Sequence, residues 1–446
     1  LKGAPILLDV SRLLSRASRP TPTGIDRIEM AYAEHLMARS DRKLAFVAVN
    51  AAGEMSAIRS GYARLMVDTL AQCWRAPHPS GKVARRAGML VRMSALLPDT
   101  GLLQALRKDR LWGESRRREL HGRRPVYLLV SHQNLHRKAI LARFKARSGA
   151  AFVFFVHDLI PIDYPEYARP GHAERHVRRI ETVCDLADGI VVNSQSTAIS
   201  LAPYLARRGR PIRLLVAHPG AEFAAPAGDA ARPPDDGNTP PYFVCIGTIE
   251  PRKNHLLLLH LWRELARASD AIKPRLIIIG RRGWENENVV DLIERCAAIK
   301  PFIEEHADLP DDALRPLLAG ARALLLPAFV EGYGLPIAEA LAIGVPVICS
   351  DLPVFREVGR AVPDFIDPLD GPAWLAAIRA FTQPGSARRA AQVARIRGWQ
   401  PPRWEAHIDA VLNLLDTVAL GDPLMEAGVP APRPALESIP GDVVVC

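Results

Sequence analysis

The residues best equipped for chemistry lie between Ala328 and Ser350, in the stretch AFVEGYGLPIAEALAIGVPVICS. Glu331 and Glu339 stand eight residues apart, and Gly332 and Gly334 follow the first of them. Lacking a Cβ, the glycines let backbone N–H groups come close to a ligand, and the N-terminus of a following helix carries partial positive charge. That combination suits a phosphate. Glu339, about two helical turns beyond Glu331, can accept hydrogen bonds from paired hydroxyls such as those of a ribose. A glutamate pair around a glycine turn is equally the signature of a solvated helix start, so the pattern alone leaves both readings open. Two other places hold side chains suited to a ligand. AFVFFV (151–156) delivers His157 and Asp158 to the loop behind a strand. Pro20, Pro22 and Gly24 make a glycine loop before a helix, with Arg27 close by to face an anion. Ligands of α/β folds sit beyond the carboxyl ends of strands, where both loops fall. A hydrogen-bonded structural histidine and an ordinary turn glycine are the plain alternatives.

These side chains need a frame. ARALLLPA reads as a buried strand leading into the glycine turn. Ile337, Ala338, Ala340, Leu341 and Ile343 then recur at helical spacing until Gly344 and Pro346 stop them, and residues 345–349 form a second buried strand. A strand, glycine turn, helix and strand in that order make a parallel α/β unit. Further strands are expected at 5–10, 43–49, 126–131, 151–156, 189–194 and 211–216, with helices from about Asp26 and over 172–186. Asn193 and Ser194 end one of these strands, and the SerGlnSerThr run there is suited to capping the next helix. AAPAGDAARPPDDGNTPP reads as an exposed linker, after which YFVCIG (242–247) begins a new buried strand.

A chain of 446 residues, 48% apolar, is long enough for two substantial domains. Its net charge of +10 points to an anionic partner, and the charge is concentrated. Residues 75–124 hold 13 Lys and Arg against four acids, a balance of +9, interleaved with apolar residues such as Leu96, Leu103 and Trp112. Basic and apolar residues mixed at helical spacing suit an anionic membrane surface, and two helices with solvated charged faces would read the same way. No recognised nucleic-acid-binding module accompanies the charge, so nucleic acid is not expected as a partner. No GxGxxG or GxxxxGK run supports a dehydrogenase or a P-loop NTPase. The six cysteines form no CxxC pair, and Cys184, Cys245 and Cys349 lie in or beside apolar runs, as reduced core residues do. With no 18-residue apolar run, the expected location is cytoplasmic, peripheral on the inner face of the membrane at most.

EGYGLPIAEALAIGVPVICSDLPVFREVG resembles the donor-site signature of retaining GT-B glycosyltransferases, the large group 1 family that includes bacterial mannosyl- and glucosyltransferases. The match runs from Glu331, Gly332, Gly334, Leu335 and Pro336 through Glu339, Ala340, Gly344, Pro346 and Val347 to Glu357 and Gly359. GTIEPRKNHLLLLHLW is similar to the family's second donor motif, a glycine turn and then an Arg-Lys pair opening a helix. HDLIPIDYPEY resembles a segment of a subgroup that builds surface polysaccharides. The resemblance implies the GT-B fold: an N-terminal acceptor-binding Rossmann-like domain (1–222, with the basic insert 75–124) and a linker (223–241). A nucleotide-sugar domain (242–395) and a helix crossing back (396–421) complete it, and the Pro-rich composition of the tail (422–446) reads as flexible. It places the donor against Gly24, Gly247, Arg252, Lys253, Glu331, Gly332, Tyr333, Gly334, Leu335 and Glu339, with Arg281 to Trp284, Ile303 and Glu304 near the base. It puts His157, Arg252, Lys253 and Glu331 at the reacting centre, and Arg27, Asp158, Asn193 and Ser194 along the acceptor cleft. Two cations beside a helix N-terminus stabilise the charge that builds on a departing diphosphate. No Asp-x-Asp anchor is present, so neither metal nor cofactor is implied. The implied reaction moves a mannose-like hexose from a GDP- or UDP-sugar to a glycan or lipid-linked saccharide, with the anomeric configuration retained. A GT-B epimerase, a phosphorylase and a noncatalytic membrane scaffold are the alternatives.

Overall fold

The computed structural model describes residues 3–50, 53–75, 123–209, 212–221 and 240–421. Residues 76–122 of the basic insert, residues 223–239 of the linker and the tail from 422 lie outside the described residues.

The first half builds a seven-stranded sheet from β1 (Ile6–Asp9), β2 (Leu44–Val49), β3 (Met55–Ile58), β4 (Val126–Leu129), β5 (Ala151–Val156), β6 (Gly189–Val192) and β7 (Arg213–Val216). Their order is β3-β2-β1-β4-β5-β6-β7, with every neighbouring pair parallel except β2 and β3. All six residues of β5 are buried, as they must be in a parallel strand with helices on both faces. The second half builds an all-parallel sheet from β8 (Tyr242–Ile246), β9 (Arg275–Ile279), β10 (Ile303–His306), β11 (Leu324–Leu326), β12 (Val347–Ser350) and β13 (Asp364–Ile366). Its order is β10-β9-β8-β11-β12-β13. In each sheet the strand order reverses beside the first strand, between β1 and β4 and between β8 and β11. Crevices open at such reversals.

Some elements go beyond the sequence reading. Residues 11–16, without an element in that reading, form α1 (Ser11–Arg16), and α2 (Gly24–Met37) begins two residues before the expected start. Thr23 caps α2 reciprocally with Asp26, whose carboxylate accepts from the Thr23 N–H at 2.8 Å. The antiparallel β3 has no counterpart in the reading either. It is four residues long, and Ser56 and Ala57 give it little strand propensity, so it is held by pairing with β2.

The last described helix, here α15 (Trp404–Leu420), follows the second domain in sequence and packs on the first. Trp404, Ile408, Val411, Leu412, Leu415 and Val418 join the core formed by Ile6, Leu8, Leu128, Val130 and Phe155. Asp416 accepts from the Ala4 N–H at 2.7 Å, and His407 lies between the Tyr32 hydroxyl (2.7 Å) and the His218 carbonyl (3.0 Å). No helix among the described residues is long and apolar enough to cross a membrane.

His132, His157, His255 and His407 are buried. Burial pushes His157 and His407 down to about 4, His255 to about 3, and His132 well below the ordinary range. In the unfolded chain each titrates near ~6.5. Below that pH the unfolded chain takes up protons that the fold refuses, so stability present at neutral pH is lost as the pH falls toward 4. Each such histidine contributes on the order of 1 kcal/mol per pH unit while the unfolded chain protonates and the fold does not. Melting temperatures between pH 7.5 and 4.5 are expected to fall, and to fall less steeply in a His407→Gln variant.

Candidate active site

The two crevices face each other and enclose a cavity of about 390 Å³. Thr21, Thr23, Gly24, Arg27, His157, Asp158 and Asn193 line it from the first domain. Gly247, Arg252, Lys253, Arg281, Glu331, Gly332, Tyr333, Gly334, Leu335 and Glu339 line it from the second. Every residue expected at the phosphates and sugar, the reacting centre or the acceptor cleft thus reaches this cavity except Ser194, which is fully buried behind it.

The cations come from the exit of β8. Pro251–Lys253 forms a 3₁₀ turn that ends at Asn254 in the left-handed conformation (φ 54°), and α8 (His255–Arg267) starts only after it. Arg252 Nε lies 2.6 Å from Glu250, its Nη1 lies 2.8 Å from Glu331, and Lys253 Nζ contacts the other Glu331 oxygen. Burial and then the adjacent Arg252 charge push the Lys253 ammonium down to about 7, while the nearby Glu250 carboxylate works the other way.

Glu331 sits in the loop between β11 and α11 (Leu335–Ala342). Gly334 caps α11 at φ 100°, where a side chain would also strike Phe355. Gly332 serves a different need: a Cβ there would lie 2.7 Å from the His157 carbonyl oxygen and 3.0 Å from Asp158 Cβ. In this structure it is the other domain that requires the glycine. The Ser194 hydroxyl donates to the Gly332 carbonyl at 2.9 Å and accepts from the Thr197 N–H at 3.1 Å, capping α7 (Gln195–Ala206). Ser194 therefore has the capping role read from the sequence and also ties the glycine loop to the first domain. Glu339 is buried on α11 and lines the cavity. Tyr333 lines it too, but its hydroxyl donates to the Pro219 carbonyl at 3.3 Å, at the crossing between domains.

His157 follows β5. Its Nε2 donates to the Val130 carbonyl at 2.6 Å, and its N–H donates to His132 Nε2 at 3.1 Å. The ring is neutral at physiological pH and carries its proton on Nε2, so Nδ1 is its acceptor. Asn193 donates to the His157 carbonyl at 2.8 Å and so holds the backbone there. Asp158 accepts from the Ile160 N–H, at 3.2 Å.

Several cleft contacts carry no sequence signal. Arg27, expected to meet an anion, pairs with Asp311 of the opposite domain. Thr21 and Arg281 both bond Asp308, at 2.9 and 2.6 Å. Glu357 accepts from the Gln195 N–H and pairs with His218, each at 2.7 Å. Arg12, on α1, donates to Asp26 at 2.6 Å and steadies the glycine loop before α2. Of the residues expected near a base, Arg281 alone lines the cavity. Arg282 turns to Glu294 and Glu305, and Trp284 stacks under Arg169. Ile303 and Glu304 lie within β10, and the chain beyond its exit, at Ala307 and Leu309, reaches the cleft instead.

Two parallel α/β domains closing on such a cleft define the GT-B architecture. Sucrose-phosphate synthase from Thermosynechococcus elongatus shares it, with a TM-score of 0.59 over 94% of this chain and all of that one at 15% identity. HepE of Anabaena, solved in complex with UDP, aligns over 93% of this chain and all of its own, with a TM-score of 0.55 at 14% identity. Residues 231–361 match the family Glycosyl transferases group 1, so the chain carries a domain of that family. Among curated relatives, O-antigen chain mannosyltransferase B of Escherichia coli is 37% identical over 172 residues, 39% of this chain and 45% of that protein. The serotype-specific mannosyltransferase WbdA of Escherichia coli is 28% identical over 226 residues, 48% of this chain and 27% of that protein. The chain thus spans less than half the length of either relative.

Gly332→Ala places a methyl against the His157 carbonyl. The two sides of the cleft are expected to separate, with a larger radius of gyration by small-angle scattering and an unchanged far-UV spectrum.

Proposed function

We propose that the chain is a retaining glycosyltransferase acting in surface-polysaccharide assembly. It moves a mannose-like hexose from a GDP- or UDP-sugar to a hydroxyl of a growing glycan or lipid-linked saccharide. The observation that carries this is the meeting of Arg252, Lys253 and the glycine loop from one domain with His157 from the other, in one cavity. O-antigen mannosyltransferases among the relatives favour mannose and a glycan acceptor.

In the reaction the bond between the sugar's anomeric carbon and the diphosphate oxygen breaks. The acceptor oxygen bonds to that carbon from the same face, and the acceptor proton passes to the departing phosphate oxygen. Arg252 and Lys253 face the charge that develops on the diphosphate, and low solvent exposure makes their field strong. The two cations do this without a metal. The N–H groups of the Gly332–Gly334 loop lie at the N-terminus of α11 and support the phosphate or the sugar. Glu331 positions the sugar, Glu339 accepts from the ribose hydroxyls, and neutral His157 offers an acceptor nitrogen to the sugar or the incoming hydroxyl. A membrane surface is proposed as the partner of the 75–124 segment on its composition alone.

Incubation with GDP-mannose, UDP-glucose and related donors, with and without EDTA, is expected to give transfer from one donor that survives the chelator. NMR of the product should show the donor's anomeric configuration; an inverted product rules out this mechanism. Arg252→Met or Lys253→Met should lower kcat/KM by about 10²-fold or more. Glu339→Ala should raise the donor KM by about tenfold, the loss of one charge-assisted hydrogen bond to the ribose. A fully active Glu339→Ala enzyme removes that assignment.

A further inference from the structure

The diphosphate subsite proposed above already contains an anion, and it belongs to the protein. The two oxygens of Glu331 divide between the cations, one 2.8 Å from Arg252 Nη1 and the other against Lys253 Nζ. The three side chains are only 20%, 12% and 11% exposed for Arg252, Lys253 and Glu331, so water screens the contact poorly. Arg252 has a second carboxylate in Glu250, at 2.6 Å and 3% exposed. The two acids are not equivalent. Glu250 is absent from the cavity lining and remains with Arg252, whereas Glu331 forms part of the cavity wall and is followed by glycine. Two carboxylates against two cations leave the subsite with no net charge. A diphosphate entering it must take over N–H donors now turned toward Glu331, and it then faces a displaced carboxylate of its own sign.

Resting on the donor-site reading, we propose that Glu331 is a built-in competitor for the diphosphate subsite, released only when a sugar offers it hydroxyls. The site thereby prefers a sugar-bearing nucleotide to a free nucleoside diphosphate. A donor supplies both halves of the exchange: its phosphates take the cations, and its sugar hydroxyls donate to the freed carboxylate. Once the sugar has been transferred, Glu331 loses those donors and returns to Arg252 and Lys253, and the nucleoside diphosphate leaves.

Calorimetric titration of the full chain with inorganic pyrophosphate, GDP, UDP and their mannose and glucose conjugates tests this. Measurement at pH 6 favours the charged form of Lys253. Glu331→Gln is expected to bind pyrophosphate and the matching nucleoside diphosphate at least tenfold more tightly than the natural protein, and to bind the nucleotide sugar no more tightly. Glu331→Asp, with a shorter reach to the cations, should gain in the same direction and serves if the first variant does not fold. Unchanged pyrophosphate affinity in both variants, lost in Arg252→Met/Lys253→Met, overturns the competitor role and leaves the diphosphate site standing. Absence of pyrophosphate and nucleotide binding in all of them overturns the donor-site reading itself.

Discussion

Two cations withdrawn from water at the exit of one strand set the terms for everything around them. Arg252 and Lys253 are adjacent, mostly buried and of like charge, an arrangement that is unfavourable without anions in contact. Glu250 supplies one carboxylate from the same turn, and Glu331 supplies the other from the far side of β11. The glycine loop must therefore come close, and its carbonyl at Gly332 and the backbone beside it then press against the first domain. The chemistry of the donor half and the closure of the cleft share one loop.

Closure is held at several separate points. Ser194 on Gly332 and Gln195 with His218 on Glu357 fasten one side. Arg27 on Asp311, and Thr21 on both Asp308 and Arg281, fasten the other. The pairs are polar and partly exposed, so each contributes modestly and each can be exchanged for water. A cleft made this way can open without disturbing either core, because the two apolar cores of each sheet are complete within their own domains. Leu335, which packs against cores of both domains, and Ala221, which packs against a core of the second, are exceptions.

Both sheets were legible in the sequence wherever strands were buried on both faces, because six-residue apolar runs such as AFVFFV have little else to become. The short antiparallel β3 was not, since its stability comes from its partner strand. The site was legible where a residue type is demanded locally, at the glycines 332 and 334 and the capping Ser194, whereas the cation pair was legible only through its resemblance to a family motif. Gly332 shows the limit of such reading, for the residue was identified while the neighbour that requires it was a carbonyl 175 positions away in the chain. Arg27 with Asp311 and the Thr21, Asp308 and Arg281 cluster were invisible for the same reason. A surface arginine has no local signature that announces its partner.

The return of α15 to the first sheet makes that domain discontinuous in the chain. Its core is finished by Trp404, Ile408, Leu412 and Leu415, which come after the whole of the second domain. On a ribosome the second domain emerges whole and can fold as a unit while the first still displays an uncovered apolar face. The order of synthesis is thus opposite to the order of completion, and the domain made first is the last to become native.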